Sequence, residues 1–214
     1  MRENMLTNKT QLLQFFSSPH KQTTFYTCGP AVVRMIAEYY ETLDVNKSSI
    51  FGDINKAIFN LESELFLTKL FDTTEEHGTD ALYIAKKLQE MGCYVEYEQV
   101  QTNDEELIES FPFRLKNLLE EGIPIIVNYT YHLNKNDYDN NHATIGHFGI
   151  VYRITDNEIF ISDPAAHFGF NDGSEKMAIS AFLKDWKSGS GIEGIFLIIY
   201  PNERLYKKYG NSSK

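Results

Sequence analysis

KQTTFYTCGPAVVRMIAEYY, residues Lys21 to Tyr40, is the stretch whose reading decides the fold. From Cys28 to about Leu43 the apolar residues Val32, Val33, Ile36, Ala37 and Tyr40 recur at three- and four-residue steps, the period of one helix face. Gly29 and Pro30 suit a first helical turn, so the sequence predicts that Cys28 lies at or just before a helix N-terminus. A thiol held there meets the positive end of the helix dipole and free backbone N–H groups, which stabilise its thiolate. The bland alternative is a small buried hydrophobe, and that is the reading for Cys93, which opens an alternating, strand-like stretch.

Working outward, Ser48 to Leu70 carries helical spacing through Ile50, Ile54, Ile58, Leu61 and Leu65, and predicts a helix on the first. Thr79 or Asp80 is an N-cap for Ala81 to Met91, whose Leu82, Ala85, Leu88 and Met91 form a stripe, with Gly92 as the left-handed stop. Cys93 to Val100 alternates as a strand, and Phe113 to Glu121 predicts a helix ended by Gly122. Ile123 to Tyr129, His147 to Ile154, Glu158 to Asp163 and Ile195 to Tyr200 are rich in β-branched and aromatic residues and predict strands. Thr155-Asp156-Asn157 reads as a tight turn that pairs two of them antiparallel.

Nucleophilic catalysis by a thiol needs a base and an orienting group, distant in sequence and adjacent in space. A hairpin closed at Thr155 to Asn157 brings His147 and Asp163 to its same end. The expected arrangement has the Asp163 carboxylate accepting the imidazole Nδ1–H and leaves Nε2 for the thiol. Gln22, six positions before Cys28, is placed for its amide N–H₂ to join the Cys28 backbone N–H in holding an oxyanion. The plain alternatives are a strand-edge histidine, an Asp-Pro turn and a solvated loop glutamine.

Bulk properties bound the answer. The 214 residues, 42% hydrophobic and 14% aromatic, favour one domain over two small ones. The expected division is a single domain over residues 1–214, with an N-terminal extension to about residue 18 and a polar tail from about residue 203. A formal charge of −10 argues against nucleic acid or an anionic membrane as partner. The start, MRENMLTNKTQLLQFF, has no sustained apolar core of a signal peptide, and no run approaches membrane-spanning length. The expected location is therefore the cytoplasm, or outside it by a route without an N-terminal Sec signal, and the two cysteines are expected free. His20, His77, His132, His142 and His167 lack metal-ligand spacing, so neither metal nor cofactor is expected.

The Lys21–Tyr40 stretch resembles the Gln-x5-Cys-Gly-Pro nucleophile segment of the leader-peptidase domains of double-glycine bacteriocin exporters. HGTDALYIAKKLQEMGCYVE (77–96) is similar to that family's Gly-Thr and helix segment, EEGIPIIV (120–127) to its central strand, and GHFGIVYRITDNEIFISDPA (146–165) to its His-to-Asp hairpin. The resemblance covers most of residues 20 to 165. It implies an α+β, papain-like fold with a helical lobe on an antiparallel sheet, and Gln22, Cys28, His147 and Asp163 in the oxyanion, nucleophile, base and orienting roles. It further implies hydrolysis of an amide in a peptide or protein substrate through an acyl-enzyme. The 214 residues hold no counterpart of the exporters' transmembrane and ATPase segments, so a free-standing member is expected, and extra sequence near 49–71 and 131–145 is expected to border the cleft. Alternatives on the same fold are an acyl or peptidyl transferase like phytochelatin synthase and a noncatalytic binding module. A guanylyl cyclase reading has no phosphate-cradling loop to support it.

Overall fold

The computed structural model describes residues 2–18, 20–45, 53–100, 105–132, 144–165, 174–187 and 194–210. The polar loop 134–141, residues 49–52 of the first expected insertion, most of the second, and His142 and His167 lie outside the described residues. In chain order the elements are α1 (Arg2–Phe16), α2 (Cys28–Val45), a 3₁₀ turn (Ile58–Asn60), α3 (Glu64–Leu70), α4 (Ala81–Glu90), β1 (Tyr94–Gln99), α5 (Glu105–Glu120), β2 (Ile125–His132), β3 (Thr144–Ile154), β4 (Glu158–Ser162), β5 (Ser174–Ala178), α6 (Ile179–Lys187), β6 (Ile195–Tyr200) and α7 (Glu203–Tyr209). The strands form one antiparallel sheet in the order β1-β6-β2-β3-β4-β5, with helices packed on it. The fold is α+β, as the sequence predicts.

The predicted helix from Cys28 is α2, and its burial is broader than one stripe. Ala31, Met35, Tyr39 and Leu43 are buried along with Val32, Val33, Ile36, Ala37 and Tyr40. The reason is that α2 runs through the core, with the sheet, α3 and α1 all against it. Burying each large aliphatic side chain contributes about 1.5–3 kcal/mol. The two buried tyrosines are satisfied: Tyr39 donates its hydroxyl to the Gly122 carbonyl at 3.0 Å and Tyr40 to the Ile199 carbonyl at 2.7 Å. The second bond fixes α2 to β6.

The residues expected as an N-terminal extension include α1, whose Leu12 and Phe16 are fully buried, with the Phe16 ring 5.2 Å from that of Tyr39. The stretch expected as a polar tail includes α7, capped by Asn202 and holding Leu205 in the core.

Three sequence expectations need correction. Ser48 to Leu70 is not one helix in its described part: the chain turns at Ile58–Asn60 and restarts as α3. Ile54, Ile58, Leu61 and Leu67 satisfy the apolar spacing, but the Asn55 side chain accepts Ala57 N–H at 2.8 Å and Ser63 caps α3, so side chains compete with a continuous helix. In α4 the Asp80 cap holds, yet the buried face is Ala81, Ile84, Ala85 and Leu88, while Leu82 is 41% exposed. The helix that was expected from Phe113 starts at Glu105 and runs through Pro112. Proline inside a helix costs about 3 kcal/mol, offset here by burial of Phe111, Leu115, Leu118 and Leu119. Arg114 on α5 also pairs with the buried Glu96 and, at 2.7 Å, with Glu98, both on β1, and Glu96 accepts the Tyr200 hydroxyl at 2.6 Å.

Candidate functional site

Cys28 is the first residue of α2. Thr27 before it is buried, and its carbonyl accepts the Ala31 N–H at 2.9 Å, starting the helix. Gly29 is required by a close approach: a Cβ there would stand 2.9 Å from Thr79 Cβ and 3.2 Å from Ile84 Cδ1. The Cys-Gly pair thus seats the start of α4 beside the thiol.

The hairpin supplies the partners. Its turn is closed by Thr155 N–H donating to the Glu158 carbonyl at 2.8 Å, and β4 pairs back along β3 from Ile154↔Ile159 to Ile150↔Ser162. Asp163 follows at the end of β4, completely buried, and its Oδ1 lies 2.6 Å from His147 Nε2. The same oxygen accepts the Ala165 N–H at 2.7 Å, which fixes the carboxylate.

The juxtaposition is the expected one, but the ring is reversed. Nε2, not Nδ1, faces Asp163, leaving Nδ1 for the thiol, which hydrogen-bonds to this imidazole. The physical reason lies in where the thiol sits. Cys28 Sγ accepts the backbone N–H of Phe148, so it lies against the β3 main chain, on the side of the nitrogen nearer Cβ. Asp163 is reached only by the far one.

Burial pushes the Cys28 thiol up, but the hydrogen bond and positive charge of His147, with the N–H groups of Phe148 and Gly29, outweigh it and leave the pKa below the ordinary 9.0. Burial likewise disfavours the imidazolium, yet Asp163 and the thiolate together raise His147 to about 10. A thiolate–imidazolium pair is the form these shifts favour. Cys93, also buried, has no such partner, and burial pushes it up to about 12.

Gln22 is buried close by, its N–H donating to the Pro164 carbonyl at 2.9 Å beside Asp163. Its amide nitrogen does not stand free as expected: Nε2 donates to the Thr24 and Phe25 carbonyls at 2.8 and 3.1 Å. The turn of its own loop aims those carbonyls inward at it.

Tyr129 was missed by sequence reasoning. It pairs with His147 across β2 and β3, its ring stands edge-on 5.8 Å from the imidazole, and its hydroxyl donates to Glu175 on β5 at 3.0 Å. Only the sheet register reveals it. Gly149 makes room: a Cβ there would be 2.5 Å from Ile161 Cγ2 and 3.2 Å from Tyr129 Cε1. Gly149→Ala is expected to lose about 1–3 kcal/mol, as overpacking does, read from the urea midpoint at unchanged slope. An unshifted midpoint would mean that the contact relaxes freely.

Among the described residues no group of three or more histidine, cysteine or acidic side chains is arranged to hold a metal, and no helix is long and apolar enough to cross a membrane.

Residues 14–192 match the family described as the Peptidase_C39 like family. No curated protein sequence matches significantly. Among solved structures, similarity is found to a double glycine motif protease from an AMS/PCAT transporter in complex with the leader peptide, at 17% identity, TM-score 0.47, covering 86% of this chain and 91% of that one. It is also found to a putative C39-like peptidase from Bacillus anthracis, at 10% identity and TM-score 0.48, covering 86% and 94%.

Proposed function

This chain belongs to the Peptidase_C39 like family, and from that premise we propose that it is a cysteine peptidase that cleaves a peptide bond through a Cys28 acyl-enzyme. The observation that carries the proposal is the buried contact of Cys28, His147 and Asp163, with the thiol pKa lowered and the imidazole's raised. In the proposed reaction the Cys28 thiolate adds to the scissile carbonyl carbon. The tetrahedral oxyanion collapses as the C–N bond breaks, and Nδ1–H of His147 protonates the leaving amine. A water, deprotonated by the same nitrogen, then hydrolyses the thioester. Asp163 holds the ring and stabilises its positive charge throughout. Gln22 joins the backbone N–H of Cys28 at the oxyanion by exchanging its longer bond, to the Phe25 carbonyl, for the substrate oxygen.

The expected result is cleavage of a subset of a mixed peptide library, with new amino termini identified by mass spectrometry, and none by Cys28→Ala. Cleavage that persists in Cys28→Ala would refute the nucleophile assignment.

A further inference from the structure

The loop that carries Gln22 and leads into Cys28 is held from outside by one carboxylate. Glu64, the first residue of α3, is 4% exposed, and its Oε1 accepts both the Thr23 backbone N–H at 2.8 Å and the Thr23 hydroxyl at 2.6 Å. Its Oε2 lies 3.4 Å from Arg34 Nη1, and Arg34 Nε is 3.1 Å from Glu38 one turn further along α2. A buried carboxylate is costly unless paired and hydrogen-bonded, and here both oxygens are engaged. Residue 22 is tied through its backbone to Pro164, beside Asp163, and residue 23 to Glu64. Residue 24 follows, its N–H donating to Thr27 Oγ1 at 3.1 Å. The loop is thereby clamped between the hairpin end and α3 immediately before the nucleophile.

We propose that Glu64 is a positioning residue for oxyanion stabilisation, setting the Thr23 backbone so that the Gln22 amide lies within reach of the substrate oxygen. The assignment rests on the peptidase reading above and extends the site into the segment 49–71. It touches no reacting atom, so it acts only on steps in which an oxyanion forms. Shifting a reacting group by about 1 Å costs about a hundredfold in rate.

Two probes separate that effect from general damage. With p-nitrophenyl acetate the Cys28 sulfur adds to the ester carbonyl, an oxyanion forms, the C–O bond breaks and p-nitrophenolate leaves behind a thioester. With iodoacetamide the sulfur displaces iodide in one step and no oxyanion arises. Glu64→Ala is expected to slow Cys28 acylation about ten- to a hundredfold while alkylation stays within about twofold. Glu64→Asp keeps the charge facing Arg34 but withdraws the oxygen from Thr23, and should give the same split even if the alanine variant folds poorly. Glu64→Gln retains an amide oxygen for the Thr23 N–H and should recover most of the acylation rate. Acylation and alkylation falling in parallel in both shortened variants, or neither falling, would overturn the proposal. Wild-type Cys28 that is alkylated but not acylated would instead sink the peptidase reading and this one with it, and that outcome is visible before any variant is made.

Discussion

Near pH 7, iodoacetamide is expected to label Cys28 of the folded protein at least about thirtyfold faster than Cys93. The magnitude follows from the two environments. With burial pushing Cys93 to about 12, only about one molecule in 10⁵ carries its thiolate at that pH, whereas a Cys28 pKa below 9.0 gives more than about one in 10². The thousandfold difference in thiolate is partly returned by nucleophilicity. A Brønsted coefficient of about 0.4–0.5 over a pKa difference of about three gives back roughly twenty- to thirtyfold. About thirty- to fiftyfold remains, before any further lowering of Cys28 or the poorer access of Cys93 is counted. Timed labelling followed by peptide mass spectrometry measures both rates. Equal rates would make Cys28 an ordinary buried thiol.

His147→Ala should abolish peptide cleavage, because it removes the proton donor for the leaving amine and the charge that holds the thiolate. General acid–base assistance alone is worth about 10²–10⁴-fold. Without the ring, burial still raises the Cys28 pKa and only the N–H groups of Phe148 and Gly29 oppose it, so alkylation near pH 7 falls as well. Asp163→Asn is a milder lesion. Its Oδ1 can still accept from both Nε2 of His147 and the Ala165 N–H, so the geometry survives and the negative charge is lost. The sign is then fixed. The His147 pKa falls from about 10, the imidazolium supports the thiolate less, and the Cys28 pKa rises. The acid limb of the alkylation profile should move to higher pH, with residual cleavage retained. An unmoved limb in Asp163→Asn, or an undiminished rate in His147→Ala, would remove the coupling on which the mechanism depends.

Why some of this was legible in the sequence and some was not can be traced to particular residues. The meeting of His147 and Asp163 was readable because an antiparallel hairpin with a three-residue turn leaves little freedom in which residues share an end. The ring nitrogen facing Asp163 was not, since it depends on where the thiol sits against the β3 backbone, a contact between segments 120 residues apart in the chain (28 against 148). The placement of Cys28 at a helix start followed from Gly29 and Pro30, but the reason for glycine did not. It is the Thr79 side chain, pressed against the place where a Cβ would stand.

Periodicity misled where two phases fitted equally well. In α4 both Leu82 and Ile84 are apolar, and the sheet, through the strand that follows, selects Ile84. Glu64 and Tyr129 were unreadable for a related cause. A carboxylate within an apparent helix and an aromatic within a strand are ordinary until the fold brings Thr23 to one and His147 to the other.

The Thr155–Asn157 turn has a practical consequence for anyone handling the protein. His147 stands eight residues before Thr155 along an extended strand, a separation of about 26 Å at about 3.3 Å per residue. The Asp156 side chain is 90% exposed. A short epitope or a fluorophore-bearing insert placed at the turn would therefore report on the whole molecule from its far end, immobilising or lighting it without covering the thiol.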